Sequence, residues 1–176
     1  MEDKFQDFTL KIPLFAGVGV VVKKGQEIKE GQVVARMEQE GGKQPVEIKS
    51  PVKAKVIDLE KNFLVLQFPA LVFSVQDAFG ISGWGELKLF SGQLFELREV
   101  ERRIVLLTRL TSAILNKLEA LDAVGAVCLE MDKRVEQDAD EIGILVLAEK
   151  DYKRACQQEG NRAKVDVGDR RLIVAK

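Results

Sequence analysis

At 176 residues the chain is long enough for one large domain or two small ones, and with 46% hydrophobic and 31% charged residues it can bury a core. Its 27 basic and 28 acidic residues leave a net charge of -1, which gives no electrostatic reason to bind nucleic acid or an anionic membrane, and no apolar run approaches the roughly 20 residues that span a bilayer. Histidine is absent, which excludes Ser-His and Cys-His nucleophiles and His-ligated zinc.

The polar, acidic start lacks an apolar signal core, so the expected location is the cytoplasm. Residues 8–11 read as a strand, with Phe8 and Leu10 alternating against polar neighbours. The β-branched run 18–22 predicts a buried strand, broken by Lys23-Lys24-Gly25. Further strands are predicted over 33–37, 46–48, 56–59 and 63–68, with turns at Glu40-Gly41-Gly42-Lys43 and Lys61-Asn62. Pro13-Leu14-Phe15-Ala16-Gly17-Val18 lines up with Pro51-Val52-Lys53-Ala54-Lys55-Val56, a faint repeat in which each proline would open a strand. Many short strands with Gly and Pro punctuation predict a small all-β sandwich or barrel.

Residues 69–75 are apolar and suit a strand. Gly80-Ile81-Ser82-Gly83-Trp84-Gly85 reads as a flexible turn. Its G-x-x-G-x-G spacing is not the dinucleotide fingerprint, and a strand-like 86–90 follows where a phosphate cradle needs a helix. Ser82 misses the nucleophile elbow because Trp84 stands where its last glycine belongs. Trp84, with Gly83 and Gly85 beside it, is the candidate contact for a ligand or partner; the alternative is a tryptophan packed on an interface.

From residue 104 strands and helices alternate. Residues 104–107 predict a strand, Thr111 or Ser112 a helix cap, and Ile114, Leu115, Leu118 and Leu121 the buried helix face, ended by Gly125. Residues 126–129 and 142–147 read as buried strands that should lie side by side, burying Val127 and Ile144. The acidic stretch 132–141 lacks calcium-loop spacing. A helix over about 151–158 and a hairpin of 163–167 with 171–175 across Gly168-Asp169 complete the reading. Cys128 and Cys156 fit buried thiols.

Two resemblances sharpen these expectations. The segment from Val22 to Ala35 resembles the "V-x-x-G-D-x-V-x-x-G-Q-x-L-A" stretch of lipoyl and biotinyl domains, and the segment from Val46 to Val56 their "V-x-I-x-S/A-P-x-x-G-x-V" stretch. The match covers about residues 8–68 and implies a barrel-sandwich hybrid fold, with Gly25 and Gly31 in turns of positive φ. It also implies a candidate cofactor-bearing residue: the family's modified lysine sits eight residues before the second proline, as Lys43 does before Pro51. The family tip reads Asp-Lys-Ala or Met-Lys-Met, whereas here it reads Gly42-Lys43-Gln44. Barrel-sandwich domains that carry no cofactor, and only bind or scaffold, form the other branch of the resemblance.

The C-terminal part is similar to swivelling β/β/α domains. Glu141-Ile142-Gly143-Ile144-Leu145-Val146, then Gly160, then Val165-Asp166-Val167-Gly168 resembles the end of the phosphohistidine domain of phosphoenolpyruvate-using enzymes, whose phosphoryl chemistry the missing histidine excludes.

The expected architecture is therefore a β-rich N-terminal barrel-sandwich hybrid (1–70), a β-rich connecting segment with a Gly-rich turn (71–103) and a C-terminal α/β domain (104–176), with separate sheets in the first and last. The expected function is non-enzymatic binding or scaffolding of a protein partner or small molecule, without cofactor, nucleic acid or membrane. The alternative is a lipoate or biotin carrier modified at Lys43.

Overall fold

The computed structural model describes residues 4–39 and 44–176. It is β-rich, with 47% strand and 14% helix and a large mixed sheet. The chain divides into two compact units, Met1–Ala70 and Leu71–Lys176.

Unit 1 holds β1 (Gln6–Pro13), β2 (Val18–Val20), β3 (Glu27–Ile28), β4 (Val33–Met37), β5 (Val46–Lys49), β6 (Ala54–Glu60) and the first part of β7 (Phe63–Ser74). β2, β4 and β5 form a three-stranded antiparallel sheet, while β6 and β1 both pair antiparallel with β7. Val22, Ile28, Val34, Ala35, Val52, Val56, Leu64 and Leu66 form its core. Gly25 and Gly31 take φ of 85° and 73°, as their turns require, and a side chain at either would meet no atom within 4 Å. The β-branched run yields only the three residues of β2: Val21 is 51% exposed and Val22 turns inward. Pro13 closes β1 where the repeat predicted that it opens a strand.

β7 runs straight through Pro69, where the sequence suggested a break. The β6 ladder reaches only Gln67, so the missing proline N–H removes no bond from it. The division between units falls inside this strand, at the junction of Ala70 and Leu71.

Unit 2 continues with β8 (Asp77–Phe79), β9 (Gly83–Leu89), a short 3-10 turn (Leu94–Glu96), β10 (Arg103–Leu110), α1 (Ser112–Ala120), β11 (Gly125–Met131), α2 (Val135–Asp138), β12 (Gly143–Val146), α3 (Glu149–Cys156), β13 (Arg162–Asp166) and β14 (Arg171–Ala175). Its strand order is β14-β13-β9-β10-β11-β12-β8. The β9-β10-β11-β12 run is parallel, as strand–helix alternation dictates, while β13 and β8 are antiparallel to their neighbours. Residues 71–103 are thus no separate connector, since β9 sits in mid-sheet.

Thr111 caps α1 by accepting a bond from the Ile114 N–H, and Leu115 and Leu118 pack onto Val105, Leu107, Ala126, Cys128, Ile144 and Val146. Val127 and Ile144 are fully buried on the adjacent strands β11 and β12, as the two short apolar runs predicted. The hairpin loop spans four residues, 167–170, because Arg170 takes a left-handed φ of 52° that brings β14 into register; the predicted two-residue Gly168-Asp169 turn is not formed.

Candidate functional site

Three features of unit 2 converge on β9, β13 and β14. The first is the alternation of β13. Ala163 and Val165 are fully buried on one face, while Arg162, Lys164 and Asp166 lie on the other. Trp84 stands directly opposite Lys164 and shares its face; Gly83 and Gly85 stand opposite Val165 and Ala163 and share theirs. The segment read as a flexible turn is therefore a strand from Gly83 onward, and its G-W-G pattern puts no side chain inside and the largest one on the other face.

The second feature explains the glycines. A Cβ at Gly83 would come within 2.5 Å of the Val124 side chain, and one at Gly85 within 2.9 Å of the Arg102 carbonyl. Val165 in turn lies against Gly125 and Gly143, which oppose each other on β11 and β12: a Cβ at Gly143 would meet the Val165 side chain at 2.5 Å and the Ile81 carbonyl at 2.3 Å. These glycines let backbones approach closely.

The third feature is charge. Asp166 is buried, and its carboxylate receives Lys164 at 3.1 Å and Arg171 at 3.3 Å; Arg171 also holds Asp169 at 2.5 Å. Two cations on one buried carboxylate satisfy it, as burial of charge demands. The strip Trp84–Lys164–Asp166–Arg171 is therefore an aromatic ring beside a cluster of two cations and two carboxylates, Asp169 included, on one face of the sheet. The 167–170 loop that joins β13 to β14 beside it is tied down. The Val167 N–H donates to Ser82 Oγ at 2.9 Å, the Val75 N–H donates to the Arg170 carbonyl, and the Arg170 guanidinium reaches the Gln76 carbonyl.

Groups that could do covalent chemistry are placed otherwise. Ser82 is engaged as that acceptor. Burial pushes the Cys128 thiol up to about 12, and burial also raises Cys156 and Tyr152, so none favours its anion near neutrality. Burial raises the Glu119 carboxyl too, helped by the negative charge of Glu141, Asp138 and Asp140, and Glu119 Oε1 is buried without a hydrogen-bond partner. Among the described residues no cluster of His, Cys, Asp and Glu is arranged to hold a metal ion, and no helix is long and apolar enough to cross a membrane.

In unit 1, β4 and β5 pair antiparallel from Met37–Val46 inward. The connection between them contains Lys43, the candidate cofactor-bearing lysine, which lies outside the described residues. Beside that connection, Arg36, Gln44, Pro45, Glu47 and Lys49 line a shallow polar recess of about 670 Å³. Sequence reasoning singled out Trp84 and its flanking glycines but missed Lys164, Asp166 and Arg171. The signal was available in Arg162-Ala163-Lys164-Val165-Asp166, a strand whose alternate residues are charged.

No family model and no curated protein matches the chain. Among solved structures it is similar to the solution NMR structure of a UPF0107 protein, with 11% identity and a TM-score of 0.50, over 60% of this chain and 100% of that one. At that identity the likeness is one of fold.

Proposed function

We propose that the chain is a cytoplasmic, non-enzymatic binding or scaffolding protein built from two modules: a lipoyl/biotinyl-like barrel-sandwich hybrid in unit 1 and a swivelling β/β/α-like module in unit 2. The observation that carries the binding reading is the strip Trp84–Lys164–Asp166–Arg171, which offers a flat aromatic surface beside a cluster of paired charges on one face of the sheet. The paired turn glycines at 25 and 31 and the antiparallel β4–β5 pair support the barrel-sandwich reading. The parallel β9-β10-β11-β12 run covered by α1, followed by the β13–β14 hairpin, supports the swivelling one. The N–H donors of Lys164 and Arg171 left over beyond Asp166 and Asp169 suit a small carboxylate or phosphate with an apolar portion against Trp84.

A thermal-shift screen of aromatic and aliphatic carboxylates and phosphates tests this, with Trp84 fluorescence as the second readout. The expected result is a stabilising compound that quenches or shifts the single tryptophan and loses its effect in Trp84→Ala and Lys164→Ala. Binding that persists in both variants would locate the site elsewhere.

The second reading, a lipoate or biotin carrier, draws on Lys43 lying in the connection of an antiparallel strand pair, eight residues before Pro51. Intact mass after co-expression with a lipoyl or biotinyl ligase and its cofactor tests it. We expect the unmodified mass, because ligases read the residues beside the lysine and these are glycine and glutamine. An increment mapped to Lys43 would put the carrier first.

A further inference from the structure

β1 is an edge. It pairs with β7 over all eight of its residues and, among the described residues, with no other strand. Which of its backbone groups face outward follows from the ladder. The Leu14 N–H donates to the Asn62 carbonyl at 2.8 Å, so residues 14 and 62 form a bonded pair, and bonded pairs recur at every second residue. The even-numbered residues of β1 therefore turn their N–H and C=O toward β7. Asp7, Thr9 and Lys11 turn theirs toward the open edge, and Pro13, which has no N–H to offer, ends that row. The side chains of Asp7, Thr9 and Lys11 are exposed, while Phe8, Leu10 and Ile12 are half-buried against the core. The strand carries one acid and one base and no bulge in its register with β7. It thus lacks most of the devices that keep edges from pairing.

We propose that this edge is the seam of a homodimer in which β1 of two copies pair antiparallel about Thr9. An interface between identical strands is two-fold symmetric, so one residue must oppose itself. Centring on Phe8 sets Asp7 against Thr9 of the other copy, and centring on Leu10 sets Lys11 against Thr9. Centring on Thr9 sets Asp7 against Lys11 in both directions, Thr9 against Thr9, and Phe8 against Leu10. That register forms two ion pairs, a threonine pair and two apolar pairs, each a favourable cross-strand combination. It also uses every outward N–H and C=O of residues 7, 9 and 11. The half-buried apolar row of one copy then continues into that of the other. In the single copy Lys11 holds Glu60 at 2.9 Å and lies over the Phe63 ring at 5.5 Å, so pairing across the seam exchanges the exposed Glu60 for Asp7 of the other copy.

Sedimentation of the full chain from micromolar to millimolar concentration tests this, with three variants. Wild type should show a reversible monomer–dimer equilibrium. Thr9→Pro removes only an outward N–H and keeps the extended backbone that β1 already has, so it should weaken association by roughly a hundredfold, the change counting twice by symmetry. Circular dichroism and melting should be unaltered. Asp7→Lys and Lys11→Asp should each be about tenfold weaker alone, because like charges then face each other across the seam. Mixed together they should recover dimers, each variant's charge meeting its complement. If Thr9→Pro fails to fold, the charge-swapped mixture decides. A wild type that stays monomeric at millimolar concentration, a dimer that survives Thr9→Pro, or a mixture no better than its parts would overturn the proposal.

Discussion

Two sets of glycines, one in unit 1 and one in unit 2, serve opposite ends. Gly25 and Gly31 in unit 1 bend the chain: each has a positive φ and open space where a side chain would go. Gly83, Gly85, Gly125 and Gly143 in unit 2 have no such φ and no such space, because strands from distant parts of the sequence press against them. The first kind follows from local chain geometry, the second from which strands become neighbours. A methyl added at a turn glycine costs only the left-handed backbone strain, whereas one added at a sheet glycine also collides with a neighbouring strand, so substitution separates the two roles.

Gly143→Val should have the largest effect. Its Cβ would sit 2.3 Å from the Ile81 carbonyl and 2.5 Å from Val165, and a backbone atom cannot give way as a side-chain tip can. We expect a loss of about 3 kcal/mol or more in denaturant melts, the upper range for overpacking. A loss under about 1 kcal/mol would mean that β12 and β13 can separate. Ile144→Ala follows, at roughly 2–5 kcal/mol, since it empties a fully buried position between α1 and the sheet. A smaller loss in the same melts would show that α1 collapses onto the gap. Gly25→Ala should cost about 1–2 kcal/mol, the left-handed penalty alone, with Gly168→Ala as a near-neutral control because it meets nothing within 4 Å. A cost for Gly25→Ala as large as that for Gly143→Val would erase the contrast between the two sets.

The smallest effect concerns Glu119, whose folded carboxyl is held above its ordinary value by burial first and by Glu141, Asp138 and Asp140 after it. Between the unfolded and folded values the native state holds more protons than the unfolded one. Stability therefore falls as pH rises through that window and stays reduced above it. Glu119→Gln should melt slightly higher than wild type near pH 7, and the gain should vanish below about pH 4, where the unfolded carboxyl is protonated as well. A gain that is independent of pH would assign it to packing.

What the sequence disclosed divides along the same line. Gly25, Gly31, the Lys61-Asn62 turn, the Thr111 cap and the buried runs around Val127 and Ile144 were legible, because each depends on residues within a few positions. The site strip was legible only at Trp84. Lys164 meets Trp84 across a gap of eighty positions, and no local pattern announces that pairing. Gly83 and Gly85 were misread for the same reason: a glycine beside a glycine resembles a turn until a neighbouring strand needs the room. The single long β7 was likewise hidden by Pro69, a break by residue type that its place in the ladder makes harmless.

The position of β14 has a consequence for folding. It spans Arg171–Ala175, is buried over its last four residues, and pairs antiparallel with β13, whose other neighbour is β9. β13 therefore gains its second neighbour only when the chain folds back across the 167–170 loop. A molecule in which that hairpin has opened bares a gap one strand wide beside β13, which any extended segment can fill before β14 returns.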